Sequence, residues 1–217
     1  MINNLSNDLL QKINEAVQIL KQGGIIAYPT DTVYSVGTNA LDQKAVDRVF
    51  KVKGRSYSKP LPVLIAHEDQ LPTVVRSISG MAKFLMQSFW PGALTMVLLK
   101  SDLLPSNVTA GADTVGIRMP NHIVPLTIIE MLGLPIIGTS ANISGKRSTL
   151  TAEEARTQLG GCVDLVVDGG KCPVGIESTI VDLTVDMPKI LRKGAIPEGK
   201  IYQVIEEFIK RGELKCE

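Results

Sequence analysis

Ser178-Thr179-Ile180-Val181-Asp182-Leu183 is followed closely by Lys189-Ile190-Leu191-Arg192, and this pair of stretches decides the fold class. Each is short, rich in aliphatic and β-branched residues and bounded by polar ones, the pattern of a strand. The connection between them is too short for a crossover helix, and strands joined that way pair antiparallel. Upstream, strand-like runs alternate with helical ones, as in parallel βαβ units. Both habits in one chain predict a mixed parallel and antiparallel sheet with flanking helices, in a single α/β domain over residues 1–217.

Outward from that pair, residues 201–210 close the chain as a helix, and residues 163–167 read as a strand. Thr151-Ala152-Glu153-Glu154 has the spacing of a capping box and opens a helix. Residues 135–138 are strand-like and residues 123–132 helical, Pro125 being tolerable in a first turn. Residues 94–99 and 115–119 read as strands, and residues 80–89 as a helix stopped by Trp90-Pro91-Gly92. Residues 61–66 look like a buried strand. Asp42 caps a helix with Ala45, Val46, Val49 and Phe50 on one face, ending at Lys53-Gly54. At the start, Leu9, Leu10, Ile13, Val17 and Leu20 recur at helical spacing up to Gly23-Gly24, and Ile25-Ile26-Ala27-Tyr28 forms a strand broken by Pro29. No repeat, low-complexity tract or linker divides the 217 residues.

Lys+Arg 23 against Asp+Glu 22 gives a formal charge of +1, which offers no global attraction for a polyanion, although a local basic pocket can hide within it. No apolar run reaches the roughly 18 residues of a membrane span. Met1-Ile2-Asn3-Asn4 does not begin a signal peptide, so no membrane association and a cytoplasmic location are expected. Cys162, Cys172 and Cys216 are odd in number and form no CxxC pair, so reduced thiols are expected, with neither a zinc site nor a disulfide framework. His67 and His122 lie far apart, and no protein-held metal is expected.

Three stretches are candidates for chemistry. Tyr28-Pro29-Thr30-Asp31-Thr32-Val33-Tyr34 follows a buried strand, where α/β sheets place ligands. Its hydroxyls can hold a small polar molecule, or Thr30 and Asp31 can simply bond their own backbone in a capped turn. Lys53-Gly54-Arg55, with Lys59 beyond, can converge on phosphate oxygens or merely complement a helix C-terminus. Ser140-Ala141-Asn142-Ile143-Ser144-Gly145 offers hydroxyl and amide groups beyond a strand, or a generic turn of small residues. No GxxxxGK[ST] or GxGxxG occurs, and no Ser-His-Asp or Cys-His arrangement can be argued.

Together with Arg118, Ser178-Thr179-Ile180-Val181-Asp182 and Leu191-Arg192-Lys193-Gly194, these stretches occur in one order. On those motifs the chain resembles the YrdC/Sua5 family, the L-threonylcarbamoyladenylate synthases, over residues 10–208. Lys53-x-Arg55 with Ser140-x-Asn142 matches the paired signature associated with synthase activity. The resemblance implies a twisted mixed sheet around a positive cavity, and the short family form without an extra C-terminal domain. It implies that Thr32, Arg118 and Ser178 bind L-threonine, with Arg118 on the carboxylate. Lys53 and Arg55 would act in catalysis and face the ATP phosphates. Lys59, Thr114, Ser140, Asn142, Ser148 and Arg192 would complete the ATP site.

The implied reaction joins L-threonine, bicarbonate and ATP, with Mg2+ accompanying ATP and no organic cofactor. This is a nucleotidyltransferase activity, releasing pyrophosphate and passing threonylcarbamoyl-AMP to a tRNA threonylcarbamoyl-transfer complex for t6A37 formation in ANN-decoding tRNAs. Direct tRNA or double-stranded RNA binding is a further possible partner contact. Ser35, Ser56, Ala93 and Lys193 depart from common family residues, and Leu64 stands where some members carry a histidine; none of these changes touches the charged and hydroxyl set. Three rivals share the fold: an RNA-binding ribosome or tRNA maturation factor, which the 4% aromatic content disfavours, a YciO-type paralogue, and a carbamoyl-transferring module of a larger hydrogenase-maturation enzyme.

Overall fold

A computed structural model describes residues 5–212. Helix ends fall where capping chemistry places them. Ser6 accepts the Leu9 amide to start α1 (Asn7–Lys21), and Asp42 accepts the Ala45 amide to start α2 (Gln43–Lys53). Gly54 ends α2 with φ of 56°, a left-handed turn that glycine adopts without strain. A short helix α3 (Leu71–Val74), which the sequence pattern does not announce, precedes α4 (Gly80–Phe89) and α5 (Ile123–Leu132). Thr151 caps α6 (Ala152–Leu159), and α7 (Glu198–Lys210) closes the chain. Among the described residues no helix is long and apolar enough to cross a membrane. No disulfide joins Cys162 to Cys172, and Cys216 lies outside the described residues.

The strands form two sheets rather than the single one expected. The smaller contains β1 (Ile26–Tyr28), β2 (Ser35–Gly37), β7 (Thr139–Ser140) and β8 (Leu165–Val166), in the order β7-β2-β1-β8. The larger is ordered β10-β9-β4-β5-β3-β6, from β3 (Val63–Leu64), β4 (Leu94–Leu99), β5 (Thr114–Arg118), β6 (Ile136–Ile137), β9 (Thr179–Asp182) and β10 (Lys189–Arg192). Strands β9 and β10 pair antiparallel, as their short connection requires, while β4 runs parallel to β9 and β3 parallel to β5.

The sheets part at Gly138, where the stretch that reads in sequence as a strand over residues 135–138 ends and β7 begins. The Ile137 amide donates to Thr38 at 2.8 Å, and the Gly138 amide donates to Pro62 at 2.9 Å, so one short segment is tied to both walls. A Cβ on Gly138 would lie 2.4 Å from Leu64 Cδ1, which leaves room only for glycine.

Period-two alternation in the larger sheet separates core from cavity. Leu94, Met96, Leu98, Val115, Ile117, Val63 and Val181 face a core that includes Val49 and Phe50 of α2, Leu85 of α4 and Ile205 of α7. Helix α1 packs its Ile13, Val17 and Leu20 with Ile128 and Ile129 of α5 in a second cluster. Each such side chain contributes about 1.5–3 kcal/mol on burial. The intervening residues of the same strands, Thr95 and Val97, Gly116 and Arg118, and Ile180, with Ser178 just before β9, line a cavity instead.

Candidate active site

The cavity lies between the parted sheets and measures about 270 Å³. Of the residues singled out by sequence, the structure brings Thr32, Arg55, Arg118, Ser140, Ser178 and Arg192 to its wall. They come from a loop, a helix end and three different strands, so only the tertiary fold assembles them.

Arg118, at the end of β5, is buried, with three of its five N–H donors engaged. Its Nε donates to the Gly92 carbonyl at 2.9 Å, Nη1 to Thr32 Oγ1 at 2.9 Å and Nη2 to Asp31 Oδ1 at 2.5 Å. Burial lowers its pKa, and the Asp31 carboxylate opposes that shift. The loop that presents Thr32 is built by Thr30. Thr30 Oγ1 accepts the amides of Thr32 and Val33 at 3.1 and 3.2 Å and donates to the Val33 carbonyl at 2.7 Å. A 2.9 Å contact between the Thr30 and Thr32 hydroxyls closes the turn. Thr30 thus makes the local turn, and its neighbour Thr32 faces the cavity.

Arg192 and Ser178 form a second cluster. Arg192 Nε and Nη2 donate to the Ser178 carbonyl at 3.1 and 2.8 Å, and Nη2 also reaches Ser178 Oγ at 3.1 Å. Ser178 Oγ lies 2.8 Å from Thr95 Oγ1. Arg192 Nη1 pairs with Glu177, whose other oxygen accepts the Ser148 hydroxyl at 2.8 Å. Arg55 reaches the wall with Nε on the Lys59 carbonyl at 3.2 Å and Nη2 on the Pro60 carbonyl at 3.0 Å. Burial lowers its pKa; Glu177 opposes this and Arg192 adds to it.

Lys53 is placed differently from Arg55. Gly54 reverses the chain between them, and the Lys53 amine turns into protein, 1% exposed, off the cavity wall. Its Nζ donates to the carbonyls of Ser140 and Asn142, the latter at 2.8 Å, and to Asn142 Oδ1 at 3.3 Å. The Lys53 carbonyl in turn accepts the Ser144 amide at 2.9 Å. Helix α2 and the Ser140 turn are therefore mutually locked. Burial, with Arg55 nearby, pulls the Lys53 pKa down to about 7 against the opposing field of Glu177.

The remaining candidates lie behind or beside the wall. Asn142 is buried, its Nδ2 donating to the Lys146 carbonyl at 2.5 Å. Ser148 acts on the cavity through Glu177, Lys59 is exposed and contributes its carbonyl to Arg55, and Thr114 begins β5 opposite Leu99, outside the lining. Asp31 and Glu177, the carboxylates that hold two of the three wall arginines, were not among the expected site residues. The available signal was adjacency, since Asp31 sits between Thr30 and Thr32 and Glu177 precedes Ser178.

A family model described as "Telomere recombination" (Sua5_yciO_yrdC) matches residues 18–194. The threonylcarbamoyl-AMP synthase of Pyrococcus abyssi is 43% identical over 197 residues, covering 91% of this chain and 58% of its own. The chain therefore spans little more than half the length of that relative. The crystal structure of P. abyssi Sua5 complexed with L-threonine superimposes with a TM-score of 0.89 at 43% identity, covering 91% of this chain and 58% of that one. The crystal structure of E. coli YciO superimposes with a TM-score of 0.79 at 29% identity, covering 88% of this chain and 93% of that one.

Proposed function

This chain belongs to the Sua5–YciO–YrdC family, and we propose that it is a threonylcarbamoyl-AMP synthase. The observation that carries the reading is the cavity wall, where three arginines and the hydroxyls of Thr32, Thr95, Ser140 and Ser178 converge between two sheets. Such a wall suits a small zwitterion beside a phosphate chain. The family relative crystallised with L-threonine supports the choice of amino acid.

In the proposed reaction the threonine amine attacks CO2 derived from bicarbonate, forming a carbamate and releasing a proton to water. A carbamate oxygen then attacks the α-phosphorus of ATP. The α-phosphorus bond to the bridging oxygen breaks, pyrophosphate leaves with that electron pair, and threonylcarbamoyl-AMP remains, a nucleotidyl transfer. The nucleophile is already an anion, so no histidine or cysteine base is required. The task is to bring anions together, and preorganised cations accomplish that. Arg118, with Thr32 and Ser178, receives threonine. Arg55 and Arg192 face the triphosphate, and Ser140 contributes a hydroxyl beside them. Lys53 and Asn142 hold the turn that carries Ser140.

Mg2+ enters as part of MgATP, carried by phosphate oxygens and water. The wall's carboxylate, Glu177, is already paired with Arg192, and among the described residues no group of three His, Cys, Asp or Glu is disposed to hold a metal. The product passes, in the cytoplasm, to a tRNA threonylcarbamoyl-transfer complex.

Pyrophosphate release by the purified protein, with threonine and bicarbonate omitted in turn, tests the proposal. Release that requires both supports the synthase. Release without threonine points to another acceptor. No release, with RNA bound in a salt-sensitive way, favours the maturation-factor reading, and no release without RNA binding favours the YciO-type reading.

A further inference from the structure

Two of the three wall arginines are ion-paired, and the pairs differ in kind. Arg118 and Asp31 are 7% and 13% exposed, so parting them strands a charge inside the protein. Arg192 and Glu177 are 41% and 35% exposed, so water or a ligand can replace either partner with little loss. Arg192 does not depend on Glu177 for its aim, because Nε and Nη2 are fixed by the Ser178 carbonyl and hydroxyl. What Glu177 supplies is charge, on Nη1 and on the Ser148 hydroxyl. It is also, among the described residues, the one carboxylate on the cavity wall. Its field extends to Arg55 and Lys53, both of which it pushes toward their protonated forms.

We propose that Glu177 is a stand-in anion: its carboxylate occupies, in the free protein, donors that an incoming phosphate chain takes over, and it is displaced by that chain rather than assisting it. The inference rests on the nucleotide reading above. A stand-in of this kind caps affinity for polyanions and returns to Arg192 as the pyrophosphate leaves, which favours product release. Ser148 and the Nη1 arm of Arg192 are then the donors exchanged, while Ser178 keeps the guanidinium aimed throughout.

The test is calorimetric titration of pyrophosphate without metal, and of MgATP, into the wild-type protein, Glu177→Gln, Arg192→Met and the double variant. Glutamine keeps the shape and an acceptor for Ser148 but removes the charge. Glu177→Gln is expected to bind pyrophosphate about three- to tenfold more tightly, the size of one half-exposed charge. The gain should shrink as sodium chloride is raised and should be smaller in the Arg192→Met background, where only the Ser148 donor and the field on Arg55 and Lys53 remain to be released. Weaker pyrophosphate binding by Glu177→Gln would make the carboxylate an aiming residue and overturn the proposal, as would an unchanged affinity. Weakening confined to MgATP would make it a metal ligand and overturn the proposal equally. If the wild-type protein binds neither ligand, the nucleotide reading fails and the stand-in falls with it.

Discussion

Replacing Lys53 by Met removes a buried amine while keeping most of its volume, and the consequence depends on pH. In the unfolded chain the amine keeps its proton to its ordinary value of 10.5, whereas in the fold burial brings release down to about 7. Between those values the unfolded state binds more protons, so this group's contribution to stability rises with pH. Below about pH 7 both states are protonated and the full cost of the buried charge is present. Methionine has nothing to titrate. Between about pH 6 and about pH 9 the wild-type protein should therefore gain about 2–3 kcal/mol on Lys53→Met, most of it above pH 7 at about 1.4 kcal/mol per unit. Urea midpoints and slopes for both proteins at the two pH values measure this directly. Parallel midpoints would refute the reasoning, by showing that the carbonyls of Ser140 and Asn142 keep an ammonium in place despite burial. Pyrophosphate release should fall in Lys53→Met at either pH, because methionine cannot donate to the turn that carries Ser140.

Arg55→Ala should reduce pyrophosphate release about ten- to hundredfold, the loss of one charge-assisted phosphate contact of about 1.5–3 kcal/mol, with the thermal midpoint nearly unmoved; unchanged turnover would remove it from the mechanism. Asp31→Ala leaves Arg118 buried and unpaired, so a loss of about 3–5 kcal/mol is expected in urea unfolding, with a higher threonine requirement in any activity that survives. Gly138→Ala drives a methyl into Leu64 and should cost about 1–3 kcal/mol. Adding Leu64→Ala should recover part of that loss, and no recovery would mean that the backbone, not Leu64, is the obstacle.

Helices were the most legible part of this chain, because their ends are written locally. Asp42 and Thr151 cap where they stand, α4, α5 and β10 match their expected bounds, and Gly54 terminates α2. The strands were harder. Residues 61–66 read as one strand, yet β3 is only Val63–Leu64: the Leu61 amide turns to the Val108 carbonyl, and the Ile65 amide makes the last bond to β5, on the Arg118 carbonyl. Strand β2 exists because β1 and β7 flank it, a long-range fact that Ser35-Val36-Gly37 does not announce. Division into two sheets at Gly138 was invisible for the same reason. In the site, the hydroxyl and arginine set could be read from motifs. The carboxylates could not: an Asp in a threonine loop looks like a turn-former, and a Glu beside a strand looks solvated. Nor could spacing reveal that Lys53 and Arg55 diverge, because that depends on the left-handed turn at Gly54.

The threonine loop also leaves little of itself unspent. Thr30 Oγ1 is spent on Val33 and on its contact with the Thr32 hydroxyl, and Arg118 fills one of the two acceptor positions on Thr32. What Thr32 still offers the cavity is one hydroxyl valence, a lone pair where it donates to Thr30 and a proton where it accepts. A guest at that corner meets that one valence, held at a fixed place by the turn and by the guanidinium beside it. Arg118 itself has only N–H donors to give. A single hydroxyl valence and a guanidinium edge thus stand within the width of one hydrogen bond, so the loop sets out its chemistry by grammar rather than by shape.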